Sequence, residues 1–512
     1  RQVCWPGFMS THMESESAGC ASDEVVKCLP NLRDFVRRGC TSIAWRLDQL
    51  KLLRDVLEDE KEAMCQALNS DLCVEEAEAL VYQIICLFGE IDVCIEGIKD
   101  WSAPQQVRTP LALQPASSCV QAQPKGVVLV LGAWNYPFVV TIGPVISALA
   151  AGNGVIVKPS ELSPESAQVI ARICARLDQK AVRCCLGGVE ASTCLVAQPF
   201  DHIVYTGSTR VGKLIMAAAA PNLTPVTLEL GGKSPVVMCG GIDIDEACRR
   251  IVCGKFVNSG QTCIAPDYIL VERGVQDQVV SALKKITKDM LGEGGENLSR
   301  MVNQQAAERL LKALREPHGG RVELGGASVP VVKEGHRFVQ PTIIVDPSKD
   351  CTLMQEEIFG PILPVLGVAS CDEAISYINS KPKPLALYVF APSPVVDHVM
   401  QSTSSGAVLV GDTALHKGNP RIPFGGIGGS GMGSLHGSFG FRELSHMRSV
   451  MYRPLFPPSI ASLPVDRALG QAVWVWSTLK PHRARWLGRL ATLLLLLLGV
   501  MTTRKLRQRL LK

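Results

Sequence analysis

Cys263 closes the segment NSGQTC (258–263). A glycine shortly before a cysteine permits the sharp turn that presents a side chain to a cleft. A thiolate there is a competent nucleophile if nearby dipoles or charges lower its pKa. The competing reading of one cysteine is a small buried hydrophobe. Glu229 lies in LELGGK (228–233), between apolar neighbours at the end of an apolar run. Burial there raises a carboxyl pKa towards the range of a general base, whereas a solvated loop carboxylate would do nothing. Asn135, in GAWNYP (132–137), offers a neutral amide donor suited to an oxyanion; a turn asparagine near a proline is the alternative. The stretch Gly207, Ser208, Thr209, Arg210, Val211, Gly212 reads GxTxxG. Glycines at a strand-to-helix turn let a phosphate approach the helix N-terminus, whose dipole favours an anion.

The elements that must position these residues are α/β. The run 126–132 is apolar and rich in β-branched residues, which marks a buried parallel strand. Helix follows to 151, then strand at 154–159. Ser163 and Pro164 read as the N-cap and first position of the next helix. Strands follow at 202–207 and 226–232. Further along, the pattern predicts helix at 244–258, strand at 268–272, helix at 275–291, and strands at 342–345 and 385–390. The chain before residue 100 is helical: Ile43, Leu47, Leu50, Leu53 and Leu57 share one face, and a second helical stretch runs from about 75 to 100. Pro104, Pro110 and Pro115 break that pattern. The expected fold is therefore two doubly wound α/β domains with a small β-hairpin arm. The expected boundaries are a dinucleotide-binding domain over 23–103 and 126–230 and a catalytic domain over 231–433. The oligomerisation arm is placed at 104–125 and 434–455, and the first 22 residues as a disordered leader.

Composition agrees with a large globular core: 47% of the 512 residues are hydrophobic and 20% charged. The formal net charge of +4 hides an asymmetry. Nine of the 52 Lys/Arg lie in residues 480–512, which hold no Asp or Glu, so 43 basic residues face 48 acidic ones elsewhere. A mildly acidic body argues against nucleic acid as a partner, and the basic end suits an anionic surface. The 19 cysteines include no CxxC pair, so no metal site is expected, and they fit a reducing compartment. No secretory signal is visible at the start.

Taken together, the four motifs resemble the aldehyde dehydrogenase superfamily. Further matches are IVKPSE (156–161) and EIFGP (357–361), and the likeness spans about residues 30–450. WNYPF, GQTCIAPDY, KPLALYVF and PFGGIGGSGMG look like the class 3 branch, which includes fatty aldehyde dehydrogenases. The resemblance implies that Cys263 attacks the aldehyde, that Asn135 and the Cys263 N–H stabilise the oxyanion, and that Glu229 activates water to release a carboxylic acid. It implies NAD as cofactor, with NADP possible. Lys158 and Glu161 would meet the adenosine ribose, residues 207–212 the phosphates, and Glu357 the nicotinamide ribose. Tyr136 and Phe424 would border the substrate cleft. Where close relatives often carry a second cysteine, this chain has Ser259. The branch also implies a homodimer.

The tail, 456–512, contains LATLLLLLLGVMTT (490–503) between basic clusters, with Trp474, Trp476 and Trp486 upstream. Fourteen helical residues span roughly 21 Å, short of a ~30 Å hydrocarbon core, but flanking Trp and Arg side chains extend the usable length. The expectation is a membrane anchor over 486–503 with the catalytic body in the cytosol, at the endoplasmic reticulum, acting on medium- to long-chain fatty aldehydes. A soluble enzyme for aromatic or peroxidation aldehydes, a CoA-acylating dehydrogenase and a non-catalytic relative are the alternatives.

Overall fold

The computed structural model describes residues 21–110, 113–327 and 337–455. Most of the expected leader and the whole tail, 456–512, with its apolar stretch, lie outside the described residues. Among the described residues no helix is long and apolar enough to cross a membrane. The chain divides into a larger unit, Arg1–Trp101 with Pro124–Ser445, and a smaller one, Ser102–Gln123 with His446–Lys512.

The larger unit holds two sheets. In the first, six strands lie in the order Gly431–Met432, Val226–Glu229, His202–Thr206, Val127–Leu131, Gly154–Lys158, Val182–Cys184. The first pair is antiparallel and the rest are parallel. Val127–Leu131 is buried at every position. Such an unbroken apolar run belongs to a central strand covered on both faces. The registers pair Leu131 with Lys158 and Tyr205, and Thr206 with Glu229. The segments that follow these strands, or end them, therefore lie along one carboxyl edge, where open α/β sheets place their ligands.

The second sheet has seven strands: Arg321–Leu324, Thr342–Val345, Ile362–Val368, Tyr268–Glu272, Pro235–Met238, Ala386–Phe390 and Ala407–Val410. Only the first is antiparallel to its neighbour. Helices Ile244–Phe256 and Gln276–Leu291 pack on it through Ile251, Val252, Val279 and Leu283, all fully buried.

Two local expectations change. Ser163 and Pro164 do open the helix Pro164–Ala175, but the Ser163 hydroxyl makes no cap hydrogen bond. Asp71, buried at the end of helix Lys61–Leu72, supplies the cap instead. It accepts from Glu165 N (3.2 Å), Ser166 N (2.9 Å) and Ser166 Oγ (2.7 Å). A carboxylate meets two orphan N–H groups at once and complements the helix dipole, which a single hydroxyl does less well. The helical stretch expected over 75–100 is not one helix. It is Glu76–Ala79, a π-helical turn Leu80–Ile84, and Ile85–Ser102.

In the smaller unit, strands Gln105–Val107, Ser117–Pro124 and Ser445–Tyr452 form a sheet in that order. Arg453 closes it by donating to Leu113 O (3.0 Å). The arm expected over 434–455 thus begins later in its second segment. Helix Gly437–Glu443 belongs to the larger unit, where it packs on Val139–Ala151.

Candidate active site

Cys263 follows the helix Ile244–Phe256 through a turn in which Asn258 (φ 51°), Ser259 (φ 54°) and Gly260 (φ 74°) are successively left-handed. Three such residues in a row are unfavourable for an L-chain and persist only where surroundings over-determine them. Here they do. Asn258 N donates to Glu78 Oε1 (2.8 Å) and Asn258 Nδ2 to Asn135 O (2.8 Å). Gln261, fully buried, donates from Nε2 to Asn258 O and Arg300 O (both 3.0 Å) and accepts Val302 N at Oε1 (2.9 Å). Ser259 is buried and donates to Ser299 O.

Asn135 sits on the loop after strand Val127–Leu131. Its amide gives one N–H to Gln261 O (3.1 Å), which ties it to the cysteine loop and leaves the second N–H for another acceptor. Tyr136 OH bonds Thr262 Oγ1 (2.8 Å). Glu229 ends strand Val226–Glu229, buried, and neither carboxylate oxygen has a hydrogen-bond partner among the described residues. Burial, and secondarily Glu443, hold its carboxyl well above the usual range.

Cys263, Glu229, Tyr136 and Phe424 line one cleft. Phe424 stacks between His436 (5.3 Å, 28°) and His416 (6.2 Å, 20°). Burial pushes both imidazoles down to about 4, so both are neutral at pH 7. Lys417 also reaches the cleft. Its ammonium lies 4.2 Å from the Tyr136 ring centroid and 5.2 Å from that of Tyr82, and donates to Tyr82 O (3.2 Å).

Burial pushes the Cys263 thiol up to about 12, with Glu357 and Glu229 adding to the rise and Lys417 opposing it, so these surroundings do not themselves supply the lowering that a thiolate requires. Although part-exposed to the cleft, the sulfur is surrounded by protein rather than bulk water. With its pKa raised so far, Cys263 is a neutral thiol at pH 7.

The residues expected to hold a dinucleotide lie along the carboxyl edge of the six-stranded sheet. Lys158 ends its strand, buried, and its Nζ bonds Glu161 Oε2 (2.6 Å), while Glu161 itself is exposed. Gly207 leaves strand His202–Thr206, and Ser208 caps the helix Thr209–Ala219 by accepting Val211 N (3.4 Å). Thr209 Oγ1 donates to Gly429 O (3.2 Å) in the glycine-rich stretch, and Arg210 is exposed. Val211 packs on the sheet core, and a Cβ on Gly212 would meet Leu230 at 2.9 Å, so that position holds the helix close to the sheet. Glu357 Oε1 accepts Gly232 N (3.0 Å), and burial raises its carboxyl to about 7. Sequence reasoning missed Glu78, Gln261 and Lys417. The first and last come from distant segments with no local pattern to mark them.

Residues 34–450 match the model of the aldehyde dehydrogenase family. "Aldehyde dehydrogenase family 3 member A2" of Macaca fascicularis is 43% identical over 418 residues, covering 81% of this chain and 85% of that relative. "Aldehyde dehydrogenase, dimeric NADP-preferring" of Mus musculus is 41% identical over 450 residues, covering 84% and 97%. The solved structure of Staphylococcus aureus AldH in a substrate-bound state superposes with a TM-score of 0.84 at 37% identity, covering 89% of this chain and 99% of that one. On this family match and these identities, the chain belongs to the aldehyde dehydrogenase family.

Proposed function

We propose that this protein oxidises aldehydes to carboxylic acids with NAD or NADP through a covalent intermediate on Cys263. The observation that carries this reading is a buried carboxyl with no hydrogen-bond partner among the described residues, Glu229, in the same cleft as the cysteine. Cys263 Sγ gives its proton to solvent and attacks the carbonyl carbon, giving a thiohemiacetal. The free N–H of Asn135 and the Cys263 N–H meet the oxyanion. NAD(P), when bound, would supply the hydride acceptor, and loss of hydride from the thiohemiacetal carbon leaves a thioester on Cys263. Glu229 then takes a proton from the water that attacks the thioester, and the acid leaves as sulfur is released. Fixing the substrate carbon covalently makes hydride transfer intramolecular, an advantage of up to ~7–11 kcal/mol.

The residues fit the cofactor. A first helical turn follows a glycine at the carboxyl edge, where a pyrophosphate gains from the dipole. Lys158 with Glu161 offers a donor and an acceptor for ribose hydroxyls. Glu357 offers a carboxylate beside Gly231, where a Cβ would fall 2.2 Å from its Oε2.

The substrate class follows from the cleft and the tail. The cleft wall is mostly apolar, with Leu87, Val139, Val140, Phe424 and Leu435, which suits a medium- to long-chain aldehyde. The apolar stretch 490–503 between basic clusters supports attachment of the catalytic body to a membrane, with the endoplasmic reticulum as the proposed site. The mouse relative named dimeric supports a homodimer. The test is reduced-cofactor absorbance with hexadecanal, comparing NAD with NADP and wild type with Cys263→Ala. Turnover lost in the variant supports the reading. Wild-type turnover with CoA and none without it would replace hydrolysis by acyl transfer, and no turnover in either case would overturn it. Deleting residues 480–512 should release the protein from membranes, and continued sedimentation with them would refute the anchor.

A further inference from the structure

Lys417 stands in the short 3₁₀ turn Leu415–Gly418, on the wall of the cleft that holds Cys263. It is the one lysine or arginine among the described residues that line this cleft, against two carboxyls, Glu90 and Glu229. Its ammonium has a built seat. Nζ donates to Tyr82 O (3.2 Å) and lies 4.2 Å from the Tyr136 ring centroid and 5.2 Å from that of Tyr82. Tyr82 belongs to the π-helical turn Leu80–Ile84, and such turns recur at functional sites. Ring faces and a carbonyl both attract a cation more than a neutral amine. Burial lowers the pKa of Lys417 all the same, with Cys86, Cys263 and Glu78 opposing that fall.

Among the described residues no carboxylate forms an ion pair with this ammonium. Glu78, which does act on it, spends Oε1 on Asn258 N (2.8 Å). A part-buried cation without a paired anion is costly, and such a group in a cleft points to function. The seat also leads to the nucleophile. Tyr136, whose ring carries the ammonium, bonds through its OH to Thr262 Oγ1 (2.8 Å), and Thr262 precedes Cys263. The other charged side chains that act on the Cys263 thiol are carboxyls, Glu357 and Glu229, and the nearby His416 and His436 are neutral at pH 7.

We propose that Lys417 is a positioning residue that acts through Cys263: its seated ammonium attracts the thiolate and holds it ready for attack. This rests on the proposed aldehyde oxidation and names the charge that makes its nucleophile usable. The thiol proton passes to solvent, and Lys417 keeps its own.

The experiment uses the purified full-length protein without cofactor, as wild type, Lys417→Met and Lys417→Arg. Labelling of Cys263 by neutral iodoacetamide and by anionic iodoacetate is followed by mass spectrometry at pH 7.5, with the exposed Cys40 as internal control. Losing the cation should raise the thiol pKa by about one unit, which cuts the thiolate about tenfold, while the greater nucleophilicity of a more basic thiolate returns part of this. Methionine should therefore slow iodoacetamide labelling of Cys263 by about three- to tenfold, and arginine should keep it within about twofold of wild type. Methionine should slow iodoacetate by about a further twofold or more, because the cation also attracts that reagent, and a merely structural lysine would not move this ratio. Cys40 should label alike in all three proteins. Wild-type labelling of Cys263 in the methionine variant, an arginine variant as slow as methionine, or an unchanged ratio of the two reagents overturns the proposal. If Lys417→Met fails to fold, Lys417→Gln is judged by the same three readings. Neither aldehyde nor NAD(P) enters the assay. Absent turnover would thus remove the proposed oxidation, whereas unchanged labelling would remove the role of Lys417 alone.

Discussion

Replacing Gly260 by alanine perturbs the cysteine loop at its tightest point. The new Cβ would sit 2.3 Å from Gly360 O, 2.6 Å from Gly360 C and 3.1 Å from Lys255 O. Carbon atoms at rest approach to about 3.5 Å, so something must move by roughly 1 Å. The close atoms are backbone, and no side chain can swing away. Either the loop carrying Cys263 moves or the segment after Glu357 does. The left-handed φ adds about 1–2 kcal/mol for a residue with a Cβ, and overpacking about 1–3 kcal/mol more. The expected stability loss is therefore about 2–5 kcal/mol, read by denaturant unfolding. A misplacement near 1 Å at the reacting atoms lowers a rate on the order of a hundredfold. Because the loop is held on the protein side, the loss should appear in kcat for propanal rather than KM. A variant that keeps wild-type kcat and loses under about 1 kcal/mol would refute the claim that this backbone contact fixes the nucleophile.

Four further outcomes follow from the geometry. In cofactor-free protein, iodoacetamide labelling of Cys263 should climb about tenfold per pH unit from neutrality to about pH 10, since its thiol is pushed up to about 12; a plateau below pH 9 would show an ionised resting thiol. Glu229→Gln should speed that labelling at alkaline pH by removing a like charge, while product release slows; unchanged labelling would remove Glu229 as an electrostatic neighbour. Glu90, with Oε1 taking Gly437 N and Oε2 unpartnered, has its carboxyl raised from 4.5 to about 7. Its favourable term is complete below 4.5 and is lost as pH rises to about 7, so Glu90→Gln should gain up to about 3 kcal/mol relative to wild type between pH 4.5 and 8; a pH-independent difference in unfolding free energy would refute this. Asp71→Ala should destabilise by about 1–3 kcal/mol and Ser163→Ala by much less, because Asp71 makes the cap; the reverse order in chemical denaturation would refute the assignment.

The strands legible in the sequence are those with unbroken apolar runs. Val127–Leu131, Gly154–Lys158 and Tyr268–Glu272 fall within a residue or two of their expected bounds. Ile362–Val368 was not anticipated although it lies inside the seven-stranded sheet, because Pro364 and Gly367 interrupt its pattern. Val182–Cys184 and Ala407–Val410 are too short to show any period. The same division applies to the site. Cys263, Glu229 and Asn135 were visible because each sits in a local motif at an element boundary. Glu78 reaches Asn258 across 180 positions, Lys417 reaches Tyr82 across 335, and Asp71 reaches Ser166 across 95. Contacts at such separations are decided by how elements pack, and nothing in the nearby residues announces them.

In the proposed mechanism one physical cause acts on both groups and orders their use. Burial favours the neutral thiol at Cys263 and the neutral carboxyl at Glu229. Each group also disfavours the other's anion, since like charges in a poorly solvated cleft repel more strongly than in water. The two are therefore not anionic together. While Cys263 must be a thiolate to attack, Glu229 is best kept protonated. Once the sulfur carries an acyl group it bears no charge, and the penalty on the Glu229 carboxylate is reduced. The base then becomes available when the thioester needs water. Lys417 is a cation that opposes the penalty on the thiol, held against the Tyr136 and Tyr82 rings and the Tyr82 carbonyl. Its ammonium favours the first of these states, because a thiolate gains from a nearby positive charge and an acylated sulfur does not. In the proposed mechanism the burial of Cys263 and Glu229 thus keeps nucleophile and base from ionising together.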